Sequence, residues 1–297
     1  MNQLSIFFPI IAFLFPLLVV LGLLYLYRWY RGRKGFRSPL TRQLLRPPGQ
    51  SLRLRIEEIS NTLNETLFVV ALVPSLISGV ILSRGFVSGN VIETFWIVLG
   101  AAIWVCFTAY YVRKIFKLLS ERRDLRLGLD GELATAEELN QLMRYGYYVF
   151  HDFPADHFNI DHVVIGPAGV FAVETKARSK GIMKGKQGAM VIFENSRLKF
   201  SNHQESESIQ QAKGQSKWLA EFLRKSVGKP VVVKPILVLP GWLVERREKD
   251  ASIMVINPKE AVQYITLNSK MLDEQTVQQI KYQVEQRCRT IEPYNLL

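Results

Sequence analysis

The sequence predicts a mixed α/β domain, a sheet flanked by helices, standing after an all-α membrane region of three transmembrane helices. Three observations predict it. The long uncharged apolar runs all fall within the first 112 residues. Beyond them the hydrophobic period switches between that of helices and that of strands, in the order helix, three strands, helix, strand, then a further strand and helices. Among those strands, residues 159–176 read N-I-D-H-V-V-I-G-P-A-G-V-F-A-V-E-T-K, two apolar-rich runs around a Gly-Pro-Ala-Gly turn, the pattern of a β-hairpin.

Residues 1–27 carry no charged side chain and are long enough to cross a bilayer. They lack the basic start and small-residue cleavage site of a signal peptide. Arg28, Arg31, Arg33, Lys34 and Arg37 follow at once, and the positive-inside rule places them in the cytoplasm with the N-terminus outside. Residues 66–83 and 94–112 are uncharged runs of 18 and 19 residues closed by Arg113, Lys114 and Lys117, a helical hairpin that leaves and re-enters on one side. Two buried helices of a soluble domain are the alternative. Residues 28–65 then form a basic cytoplasmic linker. Leu52, Ile56, Ile59 and Leu63 within it have helical spacing, fitting either an amphipathic helix on the inner leaflet or a connector packed on the following domain. Residues 113–126 read as a charged stalk and 127–297 as the cytoplasmic domain of a multi-pass cell-membrane protein whose first partner is the lipid bilayer.

The charge distribution restricts what this implies. Of the formal net charge of +12, residues 1–123 supply +10 (15 Lys and Arg, 5 Asp and Glu) and residues 124–297 only +2 (23 against 21). Most of the basicity belongs to the membrane part and is no argument for nucleic acid by itself. Two cysteines, Cys106 and Cys288, exclude a disulfide framework, and His151, His157, His162 and His203 show no paired zinc spacing. No apolar run has an ionisable residue in its middle, which disfavours a transporter.

In the cytoplasmic part, Leu133, Ala136, Leu139, Leu142 and Met143 mark a helix that Gly146 ends. It starts at Gly128 or later, at a capping box of Thr135 and Glu138, and either start puts Glu132 at the helix's beginning. Residues 147–153 give the first strand, and residues 190–193 and 198–200 a second hairpin around Glu194-Asn195-Ser196-Arg197. Residues 209–225 form a helix on which Gln211, Gln215 and Trp218 are spaced by four and three. Residues 231–239 and 251–256 are buried strands. Asn257-Pro258-Lys259-Glu260 starts another helix, and residues 273–287 form the last.

The chemistry lies in the first hairpin. If Gly166 pairs with Gly169, Asp161 falls opposite Glu174, and Lys176 lies two residues on along the same face. Their neighbours there are Val163, Ile165, Val170 and Ala172, while Ile160, His162, Val164, Phe171, Val173 and Thr175 take the other face. Two facing carboxylates in apolar surroundings repel and lose hydration. A divalent cation between them, with an ammonium nearby, removes the problem. Magnesium, with manganese as a substitute, takes carboxylate oxygens and keeps waters that phosphate oxygens replace. Metal-assisted phosphodiester hydrolysis is the chemistry this suggests, Lys176 orienting the water or steadying the developing charge. Arg178, Lys180, Lys184 and Lys186, interleaved with glycines, form a basic loop suited to phosphate backbones, and equally to plain solvation.

The hairpin, a G-x-x-G-E run at Gly128, Gly131 and Glu132, and the Q-A-K-G-Q beginning at Gln211 together resemble the nuclease-related domain (NERD), a branch of the PD-(D/E)xK superfamily. The resemblance covers residues 127–242. It implies a restriction-endonuclease-like mixed sheet, and a magnesium-dependent nuclease in which Asp161 and Glu174 bind metal, Lys176 positions the water, and Glu132 and Gln211 support. Asn-Pro, frequent in that family shortly before the glutamine, is here Glu207-Ser208, so the choice among Gln210, Gln211 and Gln215 stays open. DNA is the expected nucleic acid, and cutting both strands would call for a homodimer. A non-catalytic nucleic-acid-binding or scaffolding module on the same fold is the rival reading.

Overall fold

A computed structural model describes residues 15, 18–27, 29–30, 39–88, 94–180, 189–247 and 252–293. Most of the first apolar run, its basic flank and Lys184 and Lys186 lie outside them. The chain divides into two compact units, one containing Glu57–Arg122, the other Arg42–Ile56 with Arg123–Glu292.

The first unit is helical. A short apolar helix, α1, covers Leu18–Tyr27. Helix α2 spans Gln50–Ser88 and α3 spans Thr94–Asn140. Among the described residues, one helix, over Val98–Tyr145, is long and apolar enough to cross a membrane. Three transmembrane helices are therefore more than the described residues bear out.

The second unit holds the sheets. Helix α3 passes into a 3-10 turn at Gln141–Tyr145, closed by Gly146 at φ 80°. Strands β2 (Tyr148–Pro154), β3 (Asn159–Gly166) and β4 (Gly169–Thr175) follow as an antiparallel meander. The β3–β4 couples run from Gly166↔Gly169 to His162↔Val173, the register that the turn sequence predicts. Strands β8 (Val233–Val238) and β10 (Met254–Ile256) join in parallel, giving the order β10-β8-β4-β3-β2. Strand β4 is thus central, flanked by partners on both sides, and its seven residues are all buried. A smaller sheet, β7-β6-β5-β9, is built from β5 (Met190–Glu194), β6 (Arg197–Lys199), β7 (Gln204–Glu205) and β9 (Leu243–Arg246). Asn195 and Ser196 turn the β5–β6 hairpin with φ 51° and 52°.

Helices α4 (Glu207–Val227), α5 (Pro258–Thr266) and α6 (Glu274–Cys288) cover the larger sheet. Asn257 and Glu260 form the expected capping box at α5. On one face Val163, Ile165, Val170 and Ala172 pack with Leu219 and Leu223 of α4 and Ile280 and Val284 of α6. On the other, Val164, Phe171 and Val173 pack with Leu139, Leu142, Ala261 and Ile265. The predicted partition of the hairpin holds except at Ile160, which sits with Phe153 in the first cluster. The cause lies beside it: Asp152 adopts φ 47°, and the couple it would make with Asp161 is missing from the ladder.

Two departures bear on the site. Helix α3 has no break at Gly128 or at Thr135, so the stalk and the predicted helix are one element, and Glu132 lies in a helix interior rather than at its beginning. The predicted linker is also partly absorbed into the second unit. Leu44–Leu45 (β1) pairs with Arg289–Ile291 (β11), and Arg46 N–H donates to Cys288 O at 3.0 Å.

Candidate active site

Asp161 and Glu174 emerge where the β3–β4 ladder ends. The last backbone couple is His162↔Val173, and beyond it the Asp161 carboxylate replaces a backbone acceptor: Thr175 N–H donates to Asp161 Oδ2 at 2.7 Å. An acid placed one step past the ladder can take that bond without leaving the strand direction, which fixes its carboxylate beside β4. Burial, then the charges of Glu174 and Glu132, hold the Asp161 carboxyl well above the usual carboxylate range. The Thr175 N–H and Lys176 act in the opposite direction and do not cancel this.

Glu174 is only 1% exposed, yet both its oxygens have donors. Lys176 Nζ lies 2.7 Å from Oε1, and Gln215 Nε2 donates to Oε2 at 2.6 Å. The strand period of two brings Lys176 onto the face of Glu174, as its spacing predicts. Helix α4 supplies the amide. Gln215 is buried and also donates to Asn159 O at 3.3 Å, whereas Gln211, one turn earlier, is exposed. The glutamine that meets Glu174 is therefore Gln215 and not Gln211. The two share one stripe of α4, so spacing alone does not separate them. The turn of helix nearer Trp218 lies over the sheet, where Trp218 packs edge-on to Phe153 at 6.2 Å.

Glu132 approaches from α3. Its place depends on Gly131, where a Cβ would stand 2.7 Å from Ala177 Cβ and 3.6 Å from Thr175 Cγ2. The glycine lets the helix backbone come against the end of β4, and the next residue is then delivered to the acids. Glu132 is buried, and burial together with the charges of Asp152 and Glu174 pushes its pKa up to about 7. The nearby Gly49 backbone and Lys176 oppose that shift without cancelling it. Its Oε2 has no hydrogen-bond partner, and neither has Oε1 of Gln215, although both atoms are buried.

Behind Glu132 lies a group with no counterpart in the motif reading. Asp152, 1% exposed, receives Nε and Nη2 of Arg46, the former at 2.7 Å, on Oδ2. Ser51 donates twice, N–H to Oδ2 at 3.1 Å and Oγ–H to Oδ1 at 2.6 Å. Nothing in the sequence links these residues across a hundred positions. Only the turn chemistry of Arg-Pro-Pro-Gly at 46–49 marks the spot.

The two described members of the basic loop, Arg178 and Lys180, have partners of their own. Arg178 Nη2 donates to Glu205 Oε2 at 2.8 Å, and Lys180 Nζ stands 5.8 Å from the centroid of Trp242. His162, on the opposite face from Asp161, is buried with its Nδ1 2.9 Å from Nδ1 of His151, and burial keeps the pKa of both rings low.

A hard divalent cation suits the acid pair. Among the described residues no three or more His, Cys, Asp or Glu side chains are gathered to cage an ion, so any cation would rest on one or two carboxylates with water completing its shell. Two buried oxygens without partners, on Glu132 and Gln215, stand beside that pair. Mutual repulsion of three acids is the property that a cation would relieve.

No curated protein and no solved structure matches the chain significantly. The segment that carries Glu132, Asp161, Glu174, Lys176 and Gln215, residues 127–240, matches the family model of NERD, the nuclease-related domain, which points to a nuclease-related function for this part of the chain.

Proposed function

We propose that the chain is a membrane-anchored, divalent-cation-dependent nuclease that hydrolyses phosphodiester bonds, DNA being the expected substrate, on the cytoplasmic side. The observation that carries this is the buried Glu174 carboxylate, gripped by Lys176 and Gln215 while Asp161 is tied to the adjacent backbone. A domain that only bound phosphate would gain nothing from acids that repel it.

Asp161 and Glu174 would hold the cation, magnesium or manganese, which when bound stabilises charge on a phosphate oxygen and acidifies a water. Gln215 keeps Glu174 from rotating, and Lys176, with its ammonium on the same carboxylate, orients the attacking water or steadies the developing charge. Glu132 supports from α3. Arg178 and Lys180, with Lys184 and Lys186, supply backbone contacts that set register without reading sequence. Helix α3, through residues 94–112, is the best supported membrane anchor. The three-crossing topology, N-terminus outside, follows from the charge flanks. Cutting both strands would take two copies of the site, hence a homodimer.

The test is cleavage of circular, linear and branched DNA, and of RNA, by the full chain in detergent, with magnesium and with chelator. Magnesium-dependent cleavage that Asp161→Ala and Lys176→Ala each lower by at least about 100-fold is expected. Unchanged cleavage by clean preparations of both variants, or binding without cleavage, refutes the assignment.

A further inference from the structure

The Arg46–Ser51 segment lies outside the matched residues 127–240, yet its Gly49 stands against Glu132. Gly49 is buried with φ +68°, where L side chains are strained. A Cβ there would stand 2.3 Å from Leu129 Cδ1 and 3.6 Å from Glu132 Oε2. Its backbone lies against the Glu132 carboxylate, and its carbonyl accepts the first helical bond of α2, from Arg53 N at 2.9 Å. The residue therefore joins the start of α2 to the site.

What holds Gly49 there is the Asp152 cluster. The first turn of any helix leaves N–H groups without partners. Here Asp152, from β2, takes the Ser51 N–H and hydroxyl, and Arg46 closes over the same carboxylate from the chain before the turn. Residues 46 and 51 are fastened to one buried acid, and the Pro47-Pro48-Gly49 turn between them has little freedom left. Asp152 itself sits at φ 47°, an uncommon backbone state that persists when its surroundings over-determine it.

We propose that Arg46, Gly49 and Ser51 are positioning residues of this site: the Arg46–Asp152–Ser51 clamp seats the Gly49 backbone against Leu129 and Glu132 and so sets that carboxylate against Glu174. The inference rests on the reading of the site as a phosphodiesterase. It also means that a fragment beginning after residue 122 lacks part of its own active site. The helix that starts at the clamp is the one that continues into the apolar run at residues 66–83.

Two measurements on the full-length protein test it. Hydrogen exchange of the Ser51 amide needs no activity: that N–H donates to Asp152, and Arg46→Gln, which opens the clamp, is expected to speed its exchange at least about tenfold. Exchange at the wild-type rate overturns the proposal. The second is a double-mutant cycle in DNA cleavage. Arg46→Gln is expected to lower kcat about tenfold with KM unchanged within about twofold, the cost of a misplaced supporting group. Arg46→Lys is expected to restore most of it, and Arg46→Gln/Glu132→Gln to be no slower than Glu132→Gln alone. Losses that multiply in the double variant overturn the positioning role. Should Arg46→Gln fail to fold, the neutral pair Arg46→Gln/Asp152→Asn and the milder Ser51→Ala carry the same cycle. A wild type that cleaves nothing defeats the nuclease reading, while the exchange experiment still decides the clamp.

Discussion

At the scale of single residues, the chain concentrates opposed carboxylates where water is scarce and controls them with few donors. The register of the hairpin was legible in the sequence because a four-residue turn with glycine at each end sets it, and that register runs to His162↔Val173, one couple short of Asp161 and Glu174. The supporting glutamine was not legible, since Gln211 and Gln215 share a helix stripe and only packing shows which one faces Glu174. Gln215→Ala should therefore lower kcat at least about tenfold, by freeing Glu174 and leaving it short of a donor, while Gln211→Ala changes it less than about twofold. Glu132 gives a second prediction, in stability. Its folded pKa of about 7 exceeds the ordinary 4.5, so between those pH values the folded protein binds more protons than the unfolded chain. The metal-free protein should then lose stability as pH rises through that window, the contribution being complete below about 4.5 and gone above about 7. The loss is on the order of 3 kcal/mol. Melting in chelator at stepped pH should show this slope, and Glu132→Gln should reduce it, the raised Asp161 carboxyl supplying the remainder.

At the scale of elements, the helix carrying Glu132 is the instructive case. Two glycines and a candidate capping box suggested a helix start near residue 128, but the structure runs one helix through all of them. The glycines serve approach and not termination, and they are unequal. A methyl at Gly131 meets Ala177 at 2.7 Å, whereas at Gly128 its nearest neighbour is Leu52 Cδ1 at 3.4 Å and at Gly214 nothing lies within 4 Å. Gly131→Ala should accordingly destabilise by roughly 1–3 kcal/mol through overpacking and depress cleavage as well. Gly214→Ala, in α4, should stabilise by up to about 1 kcal/mol from helix propensity. Denaturant midpoints of the two variants check the contrast. The short strands β1, β7 and β9 escaped the sequence reading because two to four residues carry too little alternation to mark a strand. Strands β1 and β9 form through partners distant in sequence, β11 and β5, whereas β7 folds back on the adjacent β6.

At the scale of the whole molecule, the order of strands and helices was readable from hydrophobic period, and the site followed from it. The boundary between the helical unit and the sheet unit was not. Composition assigns residues 28–65 to a linker, yet Arg42–Ile56 belongs to the same compact unit as the sheet. What ties them is a buried ion pair and a two-residue strand, neither of which has a local signature. If the three-crossing topology is right, protease added to inside-out vesicles should digest the sheet domain while right-side-out vesicles protect it. Protection in the inside-out vesicles would reverse the orientation.

The most direct measurement is manganese binding by the full chain, followed calorimetrically at neutral pH. The wild type should bind at least one ion per chain at the acid pair and gain stability on the order of 2–3 kcal/mol with the ion at about a hundredfold excess over its dissociation constant. Asp161→Asn/Glu174→Gln should lose that ion and the gain. Equal binding by the wild type and the doubly substituted protein, or none by the wild type, would contradict the idea that these two carboxylates are brought together to share a cation.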